Sequence, residues 1–501
     1  MHSLTEMVRE LCAANLLARA QSVPMERLPW AARHGVLAAI VGEVCVEGRD
    51  LSLCLGLTRD FPGRLPKVFV LDENVHGRVP HVFADGHICF QEAEGILLDR
   101  HSPVDVAREA LDRAVETLRR GLSGDNRSDF IEELALYWHG DVEGISFFEP
   151  DDRVQEIRRV LIPLTGVWAF VSDRAQARQV LRPDPALKTA EFTALIDGLI
   201  TKTWSRGLYI PIKEVPRPLD PFPVGPWKPE QIEQFIFENL TPAQRKKVDA
   251  LTRGMNKRST FLIMRVPRPR GGDYLVGLRF ENIRGGHPLS LKPGDATVAQ
   301  CRLERRDAGY LVPRAGGASD LRQKRVVLVG CGAIGGQLAL ELIRCGIGQL
   351  TLVDPDVLRP ENAHRHVLGM PPLLLQPNKA LLLAAEIERR YPGSQIKGLA
   401  TTIEHAIEVG SIVPTEYDLV VSATGDPNVD RSLNDRLYTA ESRPASLFTW
   451  LEPLGIGGHA VAFAPQEQGA LPGCFDCLFT PRPLDPAPVL ENHASFAAPG
   501  Q

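Results

Sequence analysis

The run VVLVGCGAIGGQLALELIRCGIGQLTLVD, from Val326 to Asp354, constrains the fold more than any other stretch of the chain. Val326 to Val329 is a continuous apolar run of strand length. Gly330, Gly332 and Gly335 then lead as G-x-G-x-x-G into an apolar helical segment, Gln337 to Cys345. Glycines at those places let the backbone close on a phosphate, and the N-terminus of the following helix offers unpaired N–H groups and a partial positive charge to the anion. A second strand, Leu350 to Val353, ends at Asp354, where a carboxylate can take the ribose hydroxyls of a nucleotide. Strand, glycine turn, helix, strand and acid in this order predict an α/β domain with a nucleotide at the turn. The motif alone does not separate hydride transfer, flavin chemistry and adenylation, and a packing turn without a ligand would share its glycines.

A chain of 501 residues has room for roughly two to four domains. Its 57 basic and 62 acidic side chains give a net charge of −5. No basic arm is present to release counterions from nucleic acid or to meet anionic lipid, so neither partner is expected. No apolar run reaches the roughly eighteen residues that a bilayer requires, and MHSLTEMVRE lacks the apolar core of a signal peptide. A cytoplasmic protein is expected, with its nine cysteines reduced and open to catalysis or metal binding.

Ser3 and Glu6 have capping-box spacing ahead of Leu4, Met7, Val8 and Leu11, which predicts a first helix. Val36 to Val46, the alternating Leu51 to Leu57, and Val68 to Leu71 read as strands. Arg78 to Gln91 has little period and delivers Cys89 from a loop, between polar residues that packing explains poorly. Helices follow from Ser102-Pro103 to Gly121 and from Asp129 to Trp138. This order resembles the α+β fold of ubiquitin-conjugating enzymes over about residues 1–145. Phe61-Pro62 with Leu65-Pro66 is similar to the family's F-P-x-x-P-P segment, and Val82 to Cys89 is similar to its V-Y-x-D-G-x-I-C run. The resemblance implies that Cys89 carries a thioester. Where the family has His-Pro-Asn this chain reads Val79-Pro80-His81, so His81 is expected to replace the asparagine as a donor to the oxyanion formed when lysine attacks.

Residues 146–314 are expected to connect two domains, with some β-structure of their own. Helical patterns at Val154 to Leu161 and Thr189 to Ile200 bracket a strand-like VWAFVS. Seven prolines from Pro211 to Pro229 predict a stiff extended linker. A helix from Glu230 to Asn239 and strands at Ser259 to Val266 and Tyr274 to Phe280 follow, with Trp204 and Trp227 as core plugs.

The region from 315 to 501 decides the chemistry. Asp356, Asn362, Arg365, Lys379, Asp426 and Arg431 lie downstream of Asp354. Hydride transfer has no use for this set, whereas displacement at the α-phosphate of ATP needs cations for the growing phosphate charge and an acid for Mg²⁺. G-x-G-x-x-G, D-x-D, N-x-x-R, a later lysine and D-x(4)-R resemble the Rossmann-like adenylation domain of ubiquitin-activating and ThiF-type enzymes, from about Leu321 to Phe479. The resemblance implies ATP and Mg²⁺ as cofactors and a homodimer. By it Gly330, Gly332 and Gly335 form the nucleotide turn, Asp354 binds ribose, Asn362, Arg365 and Lys379 contact phosphates, and Asp426 coordinates magnesium.

Cys474 and Cys477 form the chain's only C-x-x-C, which is half of a tetrahedral zinc site. Either a second pair lies beyond Gln501, leaving this domain incomplete, or one of these thiols is the nucleophile that takes the acyl group from the adenylate. The nucleophile is the favoured reading, with the two cysteines not separable from sequence. Cys12, Cys45, Cys54, Cys301, Cys331 and Cys345 are expected to be packing residues.

A conjugating-like domain ahead of an activating-like one resembles the fused enzymes of bacterial CBASS anti-phage operons. That resemblance implies activation of a protein C-terminus, that of a cGAS-like nucleotidyltransferase (CD-NTase), with relay through Cys474 or Cys477 to Cys89 and ligation to a lysine-bearing target. Two other classes compete. One adenylates a sulfur-carrier-like or ubiquitin-like protein, with the front domain as a binding module. The other is an NAD-dependent oxidoreductase, against which Arg365, Lys379 and Asp426 argue.

Overall fold

Leucines at every second position from Leu51 to Leu57 put one face of a strand against a core, and all four are at most 5% exposed. A computed structural model describes residues 4–478 apart from 15, 92–94, 139, 141, 163–165, 182–189, 224, 254, 256–258, 291–293, 371–376, 392, 441, 453–454 and 468–473. The leucine strand is β3 (Arg49–Thr58) of an antiparallel meander with β1 (Ala18–Val23), β2 (Val36–Val46) and β4 (Lys67–Val70). Glu47 and Gly48, at φ 48° and 72°, make the tight turn between β2 and β3. Two helices, α1 (Leu4–Ala13) and α2 (Pro103–Ser123), contribute to the core. The buried stripe Val106, Ala107, Ala110, Leu111, Ala114 and Leu118 keeps the helical period of α2. Each large side chain so buried contributes about 1.5–3 kcal/mol.

The compact units of the chain are not single stretches of sequence. One compact unit comprises Met1–Ile145, Pro150–Arg159 and Ser205–Glu304, and the other Ser146–Glu149, Val160–Trp204 and Arg305–Gln501. The segment expected to close the first domain as one helix is two short turns, α3 (Asp129–Glu132) and α4 (Leu134–Tyr137). They pack into a second core of the same unit with side chains of β6 (Ser205–Pro211), β7 (Ser259–Pro267), β8 (Asp273–Arg284) and β9 (Asp295–Arg305), and β5 (Gln155–Leu161) pairs beside β6. Among these strands β5 pairs with β6, β7 with β8 and β8 with β9 antiparallel, while β6 and β7 are parallel.

Two expectations fail here for a shared reason. Val154 to Leu161 is a strand and not a helix, although Val154, Ile157 and Val160 are buried at three-residue intervals. Pairing with β6 and the Arg159 guanidinium seated 4.0 Å over the Phe261 ring override the local period. The proline-rich segment is not a free linker. Its Leu219, Phe222 and Trp227 are 3–5% exposed, and Phe222 stacks on Phe130 at 4.1 Å. Prolines restrict the unfolded chain, so burying those three apolar residues costs less entropy than in an ordinary loop. Trp227 is a core plug as expected, whereas Trp204 is half-buried, with the Arg174 guanidinium 5.8 Å from its ring centre. The helix α5 (Pro229–Glu238) is followed by α6 (Pro242–Thr252), capped by Thr241.

The second unit contains a doubly wound sheet. Its strands, β10 (Arg325–Val329), β11 (Gln349–Val353), β12 (Gln395–Leu399), β13 (Leu419–Ser422), β14 (Ala445–Leu451) and β15 (Gly458–Phe463), lie in the order β12-β11-β10-β13-β14-β15. The first five are parallel and β15 is antiparallel. Val326 to Val329 are 0–3% exposed because both faces of β10 are covered, which explains a run without alternation. Three helices matter for the site: α7 (Ala333–Cys345), α8 (Lys379–Arg390) and α9 (Pro427–Tyr438). The winding reverses between β10 and β13, and the crevice beyond the carboxyl ends of those strands is where such sheets take their ligands.

Candidate active site

Gly330 and Gly335 are required by the turn itself. Gly330 has φ 84°, and a Cβ there would stand 2.7 Å from the Ala423 carbonyl oxygen; at Gly335 it would stand 1.8 Å from the Gly330 oxygen. Gly332 differs, since a Cβ there would meet nothing within 4 Å. It caps α7 without a side-chain hydrogen bond, so the helix turns its first N–H groups toward open room, as an anion site requires.

Asp354 ends β11 and is 5% exposed, its carboxylate fixed by the N–H groups of Cys331 at 2.7 Å and Asp356 at 2.8 Å. Lys379, the first residue of α8, places its ammonium 2.8 Å from the Asp356 carboxylate. Asn378 caps that helix and donates to the carbonyl oxygens of Asp354 (2.7 Å) and Asp356 (2.9 Å), tying the acid loop to the lysine. Asn362 spends its side-chain oxygen on the Arg359 N–H at 3.0 Å, closing the turn that carries the exposed Arg365. On the other side of the reversal, Asp426 caps α9 through the Asn428 N–H at 2.9 Å and is otherwise exposed. Asp430 lies beneath it, 2% exposed, accepting from the hydroxyls of Ser422 (2.5 Å) and Thr424 (2.8 Å). Burial pushes its carboxyl pKa up.

The glycine turn, Asp354, Asp356, Lys379 and Asp426 thus all follow the carboxyl ends of adjacent strands or cap the helices that start there. An exposed carboxylate at that edge fits a hard divalent cation on phosphate oxygens. Sequence reasoning passed over Asn378 and His366. The His366 ring is 5% exposed behind the turn, its Nε2 2.7 Å from the Cys331 carbonyl oxygen, while Nδ1 accepts the Leu368 N–H at 3.2 Å. Burial lowers its pKa and keeps it neutral.

Cys477 lies on a 3-10 turn, Phe475–Leu478, that follows Cys474 and is docked on α9 by Arg431 to Asp476 at 2.5 Å and by the Phe475 N–H to Asn434 at 2.9 Å. The sulfurs of the C-x-x-C are 3.5 Å apart, and the Cys474 N–H donates to Cys477 Sγ at 3.4 Å. Two ligands of one tetrahedral zinc sit at a similar separation, yet among the described residues no cluster of three or more metal-ligating side chains occurs. Of the six cysteines expected to pack, Cys54, Cys301 and Cys331 are buried, Cys12 is half-buried, and Cys45 and Cys345 are exposed. Cys45 falls on the outward face of β2 and Cys345 on the last turn of α7.

In the first unit Cys89 is half-buried and leaves a small hairpin whose arms meet at Val82 and Ile88. The Cys89 N–H donates to the His81 carbonyl oxygen at 2.8 Å, and the Ile88 N–H donates to Val68 at 2.9 Å. His81 holds φ 66°, a region that asparagine and histidine enter more readily than most residues. Its ring corrects an expectation. Nδ1 is 2.9 Å from Glu133 and Nε2 2.9 Å from Asp129, so both nitrogens donate to carboxylates and neither is left for an oxyanion. Burial alone would lower the imidazolium pKa, but the hydrogen bonds and charges of Glu133 and Asp129 outweigh it and the net shift is upward.

A histidine raised in this way adds stability that is complete below the unfolded pKa near 6.5 and is lost as pH rises through the folded value. His81→Asn, which tolerates the same φ, is expected to cost about 3 kcal/mol at pH 6 by leaving buried carboxylates uncompensated. The gap between the two proteins should narrow as pH rises, and thermal unfolding at pH 6 and pH 9 reads it.

Residues 306–498 match the ThiF family and residues 12–145 match prokaryotic E2 family B. The chain is 28% identical over 435 residues to the ATP-dependent ubiquitin transferase-like protein Cap2 of Pseudomonas aeruginosa, covering 83% of this chain and 73% of that protein. Cap2 of Escherichia coli is 24% identical over 478 residues, covering 86% and 76%. The sulfur carrier protein adenylyltransferase of Thermus thermophilus is 29% identical over 191 residues, 37% of this chain and 67% of that one. These matches define a fused protein in which a ubiquitin-conjugating-like segment precedes a ThiF-type segment. Within that class the chain is a homologue of the Cap2 proteins and an adenylating transferase.

Proposed function

We propose that this enzyme activates a protein C-terminal carboxylate with ATP, holds the acyl group as a thioester and ligates it to a target lysine in the bacterial cytoplasm. The activated protein is a CD-NTase of a CBASS anti-phage operon. The observation that carries the first half is the gathering of the glycine turn, Lys379 and Asp426 beyond the carboxyl ends of β10, β11 and β13.

The α7 N-terminus receives phosphate oxygens beside Gly332, and Asp354 takes the ribose. The substrate carboxylate oxygen attacks the α-phosphorus and the bond to pyrophosphate breaks. Lys379 and Arg365 offset the charge that grows on the phosphates, with Asn362 holding the turn that carries Arg365. Magnesium, when held by Asp426, supplies charge neutralisation on the same oxygens. A thiolate then attacks the acyl carbon and AMP leaves. Cys477 is the better candidate, being more exposed than Cys474. The 3.5 Å sulfur separation keeps half of a zinc clamp as the second reading of this pair. Transfer to Cys89 exchanges one thioester for another at little net cost, and an amine ends the path. The adenylating unit is taken to act as a homodimer.

The test is pyrophosphate release from ATP in the presence of the CD-NTase. Release that disappears when the last residues of that protein are deleted supports the reading. Release that is independent of its C-terminus, or nicotinamide binding in place of ATP, sinks it.

A further inference from the structure

Both His81 nitrogens are committed to carboxylates, so the donor that a thioester aminolysis at Cys89 requires is not the His81 ring. When the amine nitrogen attacks the thioester carbon, the carbonyl π pair moves to oxygen, and that oxyanion must be stabilised until the C–S bond breaks and the Cys89 thiolate leaves. The attacking amine gives its proton to water.

One hydroxyl beside the cysteine loop has a proton to offer. The Tyr137 oxygen accepts the His81 N–H at 3.1 Å, while the carbonyl of the same residue 81 holds the Cys89 N–H at 2.8 Å. The phenol is therefore two hydrogen bonds from the backbone of the nucleophile. Tyr137 is 6% exposed and closes α4, where its ring packs against Phe130 at 5.4 Å and Phe222 at 5.4 Å. Its oxygen is used as an acceptor, and among the described residues its own proton has no acceptor. Burial first, with the charges of Glu133 and a Cys89 thiolate, pushes the phenol pKa upward, so it keeps that proton through the working pH range. Tyr137 also lines a cavity of about 380 Å³ with His34, Phe83 and His87.

We propose that Tyr137 is a catalytic residue of the conjugating unit, donating its hydroxyl hydrogen bond to the oxyanion formed at the Cys89 thioester, while Asp129, Glu133 and His81 position the loop. The proposal rests on the reading of Cys89 as an acyl carrier, and its test separates the two. The probe is the thioester of acetylglycine with mercaptoethanesulfonate, offered to the full chain carrying Cys474→Ala and Cys477→Ala. Loading of Cys89 is followed by peptide mass spectrometry, and discharge is followed with free lysine. Alkylation of Cys89 by iodoacetamide reports the thiolate independently.

Tyr137→Phe keeps the ring and its packing. It is expected to leave alkylation, which forms no oxyanion, within about twofold of the parent and to slow both loading and discharge on the order of 10²-fold, the cost of one oxyanion donor. 3-Fluorotyrosine installed at position 137, a stronger donor of the same shape, is expected to speed discharge. Unchanged discharge in both variants, or alkylation falling together with discharge in Tyr137→Phe, overturns the proposal. A parent chain that never loads Cys89 overturns the carrier reading as well.

Discussion

Asp426→Asn and Lys379→Met are each expected to lower ATP-dependent pyrophosphate release by roughly 10²- to 10³-fold while the protein stays folded. Asparagine caps a helix as well as aspartate does, so Asp426→Asn keeps the Asn428 contact that starts α9 and removes only the charge. Lys379→Met keeps the length of the side chain and leaves an exposed Asp356, whose lost ion pair costs no more than about 1 kcal/mol. Thermal midpoints near that of the parent, together with the loss of pyrophosphate release, would locate both effects in the chemistry. Release at the parent rate in both variants would remove these residues from the phosphate site.

Gly335→Ala is expected to be the most damaging single methyl in the adenylating unit. The new carbon would stand 1.8 Å from the Gly330 oxygen, a backbone atom that can move only by opening the turn. Overpacking of this kind costs about 3 kcal/mol or more, and nucleotide binding should vanish with it. Gly332→Ala provides the contrast. Its Cβ meets nothing within 4 Å, so stability should change by no more than about 0.5 kcal/mol, yet nucleotide affinity should fall because the methyl occupies the approach of the phosphate. Titration of each variant with ATP beside its thermal melt separates the two outcomes. Equal stability of the two variants would contradict the account of the turn.

The contrast between these glycines also shows what a sequence makes legible. The strand of Val326 to Val329, the turn and the Asp354 end of β11 were all readable because each depends on neighbours within a few residues, and because a strand covered on both faces has no polar positions. The irregular segment that delivers Cys89 was readable as a loop, and the structure closes it locally where Val82 and Ile88 meet. The failures concern partners far along the chain. His81 was assigned a donor role that Glu133, 52 residues away, and Asp129, 48 residues away, have already taken. Tyr137 and His366 carry no local signal, since their importance lies in reaching backbone at residues 81 and 331. Val154 to Leu161 and the proline-rich segment were misread because β-pairing and aromatic stacking decided their structure against their own pattern. The order of acids and cations was visible in the second unit. Which of them share an edge of the sheet became visible only with the strand order.

The central claim is that one chain both makes an acyl-adenylate and carries the acyl group on Cys89. The most direct measurement is intact-protein and peptide mass spectrometry, without reductant, after mixing the enzyme with the CD-NTase, ATP and Mg²⁺. The account predicts a thioester on Cys89 that is absent in Asp426→Asn and in the variant lacking the relay cysteine, Cys477→Ala or Cys474→Ala, and that disappears on adding thiol. Sustained adenylation with no adduct on Cys89 under any condition would contradict it and leave the conjugating-like domain as a docking module.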